Sequence, residues 1–149
     1  MELSEQENKI YDKALKLLSV RIHASRELAV KLSKKGFVSG QIQNVILVLT
    51  EQGLLNDELT ADSYLDSLAN YKTFGFYGIK AKMLNKGFEP ALVERLLNEK
   101  FGADKELELA RKFLKKKPRT KMSAAQSLAR KGFRSQVIAK VLPDLSEEV

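Results

Sequence analysis

Positively charged side chains are the residues of this sequence whose type and spacing best fit a chemical role. Five cations lie on the two sides of a single proline: Lys115, Lys116, Lys117, Arg119 and Lys121. Three more flank a glycine further along the chain: Arg130, Lys131 and Arg134. Clusters of ammonium and guanidinium groups favour contact with the phosphates of a nucleic acid.

A structural role is the alternative for some of these cations. A cation in the last turn of a helix interacts favourably with the negative end of the helix dipole, by about 0.3–1 kcal/mol. We leave both roles open for Lys35, Lys86 and Lys131, each of which directly precedes a glycine. For the five cations at 115–121 we favour phosphate contact, because a helix dipole alone does not require five charges.

The net charge of +7 is concentrated in the last third of the chain. Residues 103–149 carry a net charge of +6, whereas residues 1–52 carry +2 and residues 53–102 carry −1. A basic excess gathered in one region indicates an anionic partner, most often a nucleic acid. The alternative is a lysine-rich surface that contacts only water.

Residue types that catalyse reactions or bind metals are scarce. His23 is the single histidine and cysteine is absent, which excludes an imidazole pair, a thiolate nucleophile and a disulfide. Neither the phosphate-binding loop nor the dinucleotide fingerprint occurs. Asp57 and Glu58 resemble a carboxylate site, but a helix cap and a first-turn charge explain them better. We expect no enzyme, no cofactor and no metal site.

The sequence also lacks the features of a membrane or secreted protein. No stretch approaches the roughly 20 apolar residues of a transmembrane helix. The polar segment from Met1 to Lys9 contains three glutamates and does not resemble a signal peptide. We therefore expect a cytoplasmic protein that does not contact a membrane.

Four aromatic residues lie close together beside Lys72 and Lys80: Tyr71, Phe74, Phe76 and Tyr77. Such rings can stack on exposed bases, but we expect most of them to pack in the core. Gly75-x-x-Gly78 resembles the backbone-clamping loop of KH modules. We favour a plain turn between two helices for this segment, because no predicted strand accompanies it.

The elements that position these residues follow from a repeated tripeptide. Lys-Gly-Phe occurs with its glycine at positions 36, 87 and 132, at spacings of 51 and 45 residues. Spacings of this size are typical of a repeated supersecondary unit. Glycine readily ends a helix in the left-handed conformation. The residue after the glycine then contacts the apolar residue that lies four positions before the glycine. The predicted contact pairs are Leu32 with Phe37, Met83 with Phe88, and Leu128 with Phe133.

The apolar periodicity predicts about nine helices and no strands. We interpret them as three tandem three-helix repeats over residues 1–52, 53–102 and 103–149, the last of them basic. Such repeats share apolar faces, so the all-α array should be elongated and curved. The predicted helix starts are Ser25, Ser39, Asn56 or Asp57, Pro90 and Ser135, with the serines and Asn56 or Asp57 as N-caps. Pro118 and Pro143 should end helices.

Several of these segments together resemble the RecX family, the regulators of the RecA recombinase. The matching segments are Arg21…Ser25-x-Glu27-Leu28…Lys31-Leu32-x-x-Lys35-Gly36-Phe37, Leu54-Leu55-Asn56-Asp57…Ala61…Tyr64, Gly75…Ile79…Met83-x-x-Lys86-Gly87-Phe88, and Leu128-Ala129-Arg130-Lys131-Gly132-Phe133…Ile138. The resemblance covers nearly the whole chain. It implies tandem three-helix repeats that bind along the RecA–DNA filament and suppress its recombinase, ATPase and coprotease activities. The implied partners are the RecA filament and single-stranded DNA or DNA within the filament, and we expect the chain to be a monomer.

The chain departs from the family pattern at two positions. Phe76 stands where the family often has proline, and Gly78 where it often has a basic residue, so Lys80 or Lys82 would replace that basic contact. The residues that we predict to contact DNA or protein are Arg26, Lys34, Lys35, Lys80, Lys82, Lys86, Lys115, Lys116, Lys117, Arg119, Lys121, Arg130, Lys131 and Arg134.

Two alternative functions stay open at this point. The glycine turns also permit a helix–turn–helix module that acts on naked DNA, although no predicted helix carries a dense set of base-reading Arg, Asn and Gln. The chain could also be a protein-only helical scaffold whose lysines are merely solvated.

Overall fold

The computed structural model describes residues 2–116 and 120–145, and this part of the chain is all-α. Its helices are α1 (Glu5–Val20), α2 (Ser25–Lys34), α3 (Ser39–Glu51), α4 (Asp57–Tyr71), α5 (Phe76–Lys86), α6 (Pro90–Lys100), α7 (Ala103–Lys115), α8 (Lys121–Arg130) and α9 (Ser135–Val141). A short 3-10 turn, Leu142–Asp144, follows α9 and contains the proline that was predicted to end it. The predicted helical class and number of helices are therefore confirmed for the described residues.

Glycines end helices where the repeated tripeptide predicts them. Gly36, Gly87 and Gly132 have φ angles of +95°, +104° and +83°. After Gly132, the Phe133 N–H donates to the Leu128 carbonyl over 3.0 Å, which is the long hydrogen bond of a Schellman stop. The sequence signal is reliable here because other residues rarely adopt a positive φ.

Several predicted helix starts were wrong in detail. The N-cap of α2 is Ala24 and not Ser25. The Ser25 N–H and Oγ–H instead donate to Asp57 Oδ1 over 2.8 and 3.0 Å. For α4, where Asn56 or Asp57 was predicted as the cap, the prediction is confirmed with Asn56, which accepts the Leu59 N–H over 3.1 Å. The local sequence pattern cannot reveal that Asp57, which is distant in the chain, accepts the hydrogen bonds of Ser25.

Three further starts can be compared with the sequence expectation. The prediction of Ser39 and Ser135 as N-caps was wrong. Both are first helical residues, and the residues before them cap α3 and α9 without a side-chain hydrogen bond. Pro90 lies in the first turn of α6, as predicted. The segment Gly75–Gly78 was expected to be a turn, but α5 already begins at Phe76.

The chain divides into two compact units, of which the first contains Met1–Ala61 and Lys86–Phe88. In this unit α1, α2 and α3 pack on one another. Their core contains Ile10, Ala14, Leu28, Leu32, Ile42, Val45, Ile46, Leu49 and Leu55. Phe37 packs against the same core as Leu32, as the repeated tripeptide predicts.

The second unit contains Asp62–Asn85 and Glu89–Val149. In it α7 and α8 both pack on α9. The core at these helices contains Ala110, Leu114, Ala124, Leu128, Phe133, Val137 and Val141. Leu128 and Phe133 share this core, in agreement with the sequence. The division into three repeats and the contact of Met83 with Phe88 stay predictions.

Candidate nucleic-acid interface

The joint between α8 and α9 in the second unit holds its backbone against the start of α5. The Gly75 N–H donates to the Lys131 carbonyl over 2.9 Å, and the Tyr77 N–H donates to the Gly132 carbonyl over 2.8 Å. A Cβ atom on Gly132 would lie 2.1 Å from the Gly78 nitrogen. Only glycines permit so close an approach of two backbone segments. The contact therefore fixes the position of the Lys131 backbone.

Two predicted cations meet at one aromatic ring beside this joint. The Lys82 ammonium lies 5.3 Å and the Lys131 ammonium 5.4 Å from the centroid of the Phe74 ring. Lys131 also lies 6.0 Å from the Phe113 ring of α7. Cation–π attraction holds each charge at about 0.5–1 kcal/mol in exposed positions. Two positive charges are thus gathered at one ring, an arrangement that attracts an anion.

A buried carboxylate forms hydrogen bonds to the same region. Glu106 of α7 is fully buried. Its Oε2 accepts the N–H groups of Phe76 and Arg134 over 2.9 Å each. Its Oε1 accepts the Arg134 Nε–H over 2.7 Å. One carboxylate therefore connects α7 to the beginnings of α5 and α9.

Arg134 is consequently engaged within the unit. Its side chain is only 18% exposed, and its guanidinium carbon lies 4.2 Å from the centroid of the Phe76 ring. The sequence places Arg134 among the residues that contact a partner. The structure shows a cation that orients the joint, so we leave Arg134 out of the candidate interface.

Lys80 also has a partner inside the second unit. Its ammonium lies 2.9 Å from Glu94 Oε2, and both side chains are partly exposed. Of the two lysines that could replace the basic residue missing at Gly78, Lys82 lies at the aromatic ring and Lys80 at a carboxylate. Lys82 is therefore the better candidate for the phosphate contact.

Two of the predicted cations of the first unit, Arg26 and Lys86, lie near the start of α2. Lys86 lies 3.6 Å from Glu27 Oε2, which also pairs with Arg21 at 2.7 Å. Burial raises the pKa of Glu27, but the Arg21 hydrogen bond and the charges of Lys86 and Arg21 outweigh it and lower the pKa below the usual value. A Cβ atom on Gly87 would lie 3.2 Å from Arg26 Cβ, so Arg26 borders this joint.

The remaining predicted cations lie at helix ends. Lys34 and Lys35 are exposed at the end of α2, and Lys115 and Lys116 are exposed at the end of α7. Lys121 begins α8, and the exposed Arg130 ends it. Lys117 and Arg119 lie outside the described residues. The positions at helix C-termini fit both the helix-dipole role and phosphate contact, whereas Lys121 lies at an N-terminus, where the helix dipole disfavours a cation.

The expectation that most of the four clustered aromatic rings pack in the core was wrong. Phe76 is buried and Phe74 is half-buried. Tyr71 is 82% exposed and Tyr77 is 56% exposed. Tyr71 is the last residue of α4 and lies on the surface.

Comparison with known proteins identifies the family. The sequence model described as "RecX, first three-helix domain" matches residues 11–47. The protein named Regulatory protein RecX from Chlorobaculum tepidum is 38% identical, over 73% of this chain and 66% of the relative. The chain belongs to the RecX family.

The chain matches only part of the length of some other RecX relatives. Regulatory protein RecX from Lactococcus lactis strain IL1403 is 28% identical over 91% of this chain. The chain spans about half of that relative, 54% of its length. The crystal structure of RecX from Lactobacillus salivarius superposes with a TM-score of 0.86 at 24% identity, covering 96% of this chain and 98% of that one. That likeness shows the shared RecX fold.

The RecX relatives are named as regulatory proteins, so this chain belongs to a family of regulators. In the part of the chain that the structure describes, no helix is both long and apolar enough to cross a membrane.

Two exposed lysines that the sequence analysis left out of the predicted interface, Lys72 and Lys112, line one groove with Lys116. Lys72 follows α4, and Lys112 lies on α7 four residues before Lys116. The signal that could have revealed Lys112 is this spacing of four, which puts both ammonium groups on one face of a helix.

Proposed function

We propose that this chain regulates the RecA recombinase, mainly as an inhibitor. It binds as a monomer along the groove of the RecA–DNA filament in the cytoplasm. There it lowers the ATPase, strand-exchange and coprotease activities of the filament. Membership of the RecX family supports the regulatory part of this proposal.

The pair of ammonium groups at Phe74 is the observation that carries the DNA-binding part. Lys82 lies on α5 and Lys131 directly follows α8, and both are held at one ring by cation–π contacts. Positions fixed in this way lose little conformational entropy when a phosphate binds. The protein would therefore act by occupying the groove and contacting the DNA backbone, without chemistry of its own.

The test is the DNA-dependent ATPase of RecA, measured with this protein at substoichiometric amounts. The wild type should inhibit, and inhibition should weaken with salt because bound phosphates release counterions. The double variant Lys82→Glu/Lys131→Glu should lose most of the inhibition. The matched control is Lys140→Glu, which reverses an exposed charge of the same unit elsewhere on α9 and should inhibit normally.

Three results would contradict parts of the proposal. Full inhibition by the correctly folded double variant would remove the role of this cation pair. Binding to RecA that is equal with and without DNA and independent of salt would favour a protein-only scaffold. Sequence-specific footprints on naked duplex would favour the helix–turn–helix alternative.

A further inference from the structure

A second cationic surface lies in the second unit, between the end of α4 and the last turns of α7. It is a groove of about 160 Å³, which we name the Tyr71 groove. The lining residues that matter for its chemistry are Tyr71, Lys72, Thr73, Lys112, Phe113 and Lys116. Pockets for drug-sized ligands usually measure about 300–1,000 Å³, so this groove fits one small group and not a whole cofactor.

Among the residues that the structure describes, the three lysines of the Tyr71 groove have no acidic partner. No ion pair within residues 2–116 and 120–145 involves Lys72, Lys112 or Lys116, although all three are exposed. Elsewhere in the same unit Lys80 pairs with Glu94 and Lys100 pairs with Asp62. Three like charges that converge on one groove repel one another. An anion bound between them would relieve that repulsion.

The Tyr71 ring adds a second kind of recognition to this groove. At 82% exposure it offers both ring and hydroxyl to solvent. A flat ring beside several cations is the combination with which proteins bind unpaired nucleotides, because the base stacks on the ring and its phosphate meets the charges. A phosphate site alone would not need the ring, and an apolar ligand would not need the lysines.

The groove is continuous with the candidate interface through one side chain. Phe113 lines the Tyr71 groove, and the Lys131 ammonium lies 6.0 Å from the centroid of the same ring. A strand that leaves the groove past Phe113 would therefore meet Lys131 next. This continuity favours a strand of nucleic acid over an isolated phosphate or a free nucleotide.

We propose that the Tyr71 groove binds one nucleotide of a single DNA strand. The base stacks on Tyr71, and Lys72, Lys112 and Lys116 hold the adjacent phosphate. This proposal rests on the proposed function, because it adds a base contact to the same DNA partner.

The experiment compares two fluorescein-labelled strands of equal length by fluorescence anisotropy, with RecA absent. One is a thymidine oligomer and the other is an abasic strand with the same phosphates. The wild type should bind the thymidine oligomer about fivefold tighter or more, since stacking of one base contributes that much. Tyr71→Ala should remove this preference, and Tyr71→Phe should keep it because the ring remains.

The lysines are tested by their effect on both strands. Lys72→Glu, Lys112→Glu and Lys116→Glu should each weaken binding to the two strands equally. The triple variant should also reduce the slope of log affinity against log salt by about 0.7, the value for one phosphate of a single strand. Lys140→Glu is the matched charge control and should change neither of the two affinities nor the salt slope.

The outcomes separate this inference from the proposed function. Equal wild-type affinity for the two strands, or a thymidine preference that survives Tyr71→Ala, overturns the base contact, even if the wild type inhibits RecA. A thymidine preference that depends on Tyr71 supports the inference, even if the wild type leaves the RecA ATPase unchanged.

Discussion

Replacing Glu106 with alanine removes one carboxylate and three hydrogen bonds from the interior of the second unit. The Phe76 and Arg134 N–H groups lose their acceptor, and the Arg134 guanidinium keeps its charge in a side chain that is only 18% exposed. Removing one member of a buried ion pair costs about 3–5 kcal/mol, because the other charge stays without compensation. For a chain of this length that corresponds to a decrease in Tm of roughly 6–20 °C.

The assay is urea unfolding followed by circular dichroism, with thermal unfolding as a second measurement. Glu99→Gln is the matched control, since Glu99 and Arg95 form an exposed pair on α6 with a distance of 3.5 Å. Exposed pairs at this spacing contribute only about 0.3–0.5 kcal/mol. The control should therefore unfold almost like the wild type.

The double variant Glu106→Ala/Arg134→Met completes the measurement. Because it removes both charges, it should be more stable than Glu106→Ala alone, with a coupling energy of about 0.5–3 kcal/mol. A loss of less than about 1 kcal/mol in Glu106→Ala would refute the reasoning, since an ordinary neutral hydrogen bond contributes that much.

Two further predictions concern the glycine joints and the buried histidine. Gly132→Ala should destabilise the protein by several times more than Gly36→Ala in urea unfolding. Both have a positive φ, but an added Cβ meets backbone only at Gly132 and open space at Gly36. Burial, together with the charges of Lys31 and Arg21, lowers the pKa of His23 below 6.5 despite a hydrogen bond to the Arg21 carbonyl. The free energy of unfolding should therefore fall as the pH drops below about 6.5, because only the unfolded chain takes up that proton, and His23→Gln should lose this dependence.

Features that depend on neighbouring residues could be predicted from the sequence. The positive φ at Gly36, Gly87 and Gly132 follows from glycine itself, and the helices between them follow from apolar periodicity. The Schellman contact between Leu128 and Phe133 was predictable because the two residues are only five positions apart, across the end of α8.

Features that depend on distant residues could not be predicted in this way. Ser25 loses its cap role to Asp57, which is 32 residues away. Lys86 meets Glu27 across a still larger separation. The burial of Glu106 could have been predicted from one feature of the sequence. Glu106 lies four residues before the buried Ala110 and therefore on the apolar face of α7.

The cations also combine a local feature, which the sequence predicts, with a distant one, which it does not. Their positions at helix ends follow from the sequence, but their partners do not. Lys80 and Lys82 are two residues apart, yet one meets a carboxylate and the other an aromatic ring. The exposure of Tyr71 was also missed, because a short aromatic cluster at a helix end has no periodicity from which burial can be read.

The contact between the two glycine turns of the second unit affects how a mutational scan of this chain should be interpreted. Side chains introduced at positions 75, 78 or 132 would push the turns apart and displace the lysine beside them. Under the proposed function, such variants would lose inhibition as completely as variants of a true contact residue, although none of the three glycines has a side chain with which to touch a partner. A thermal melt of each inactive variant would separate these two classes.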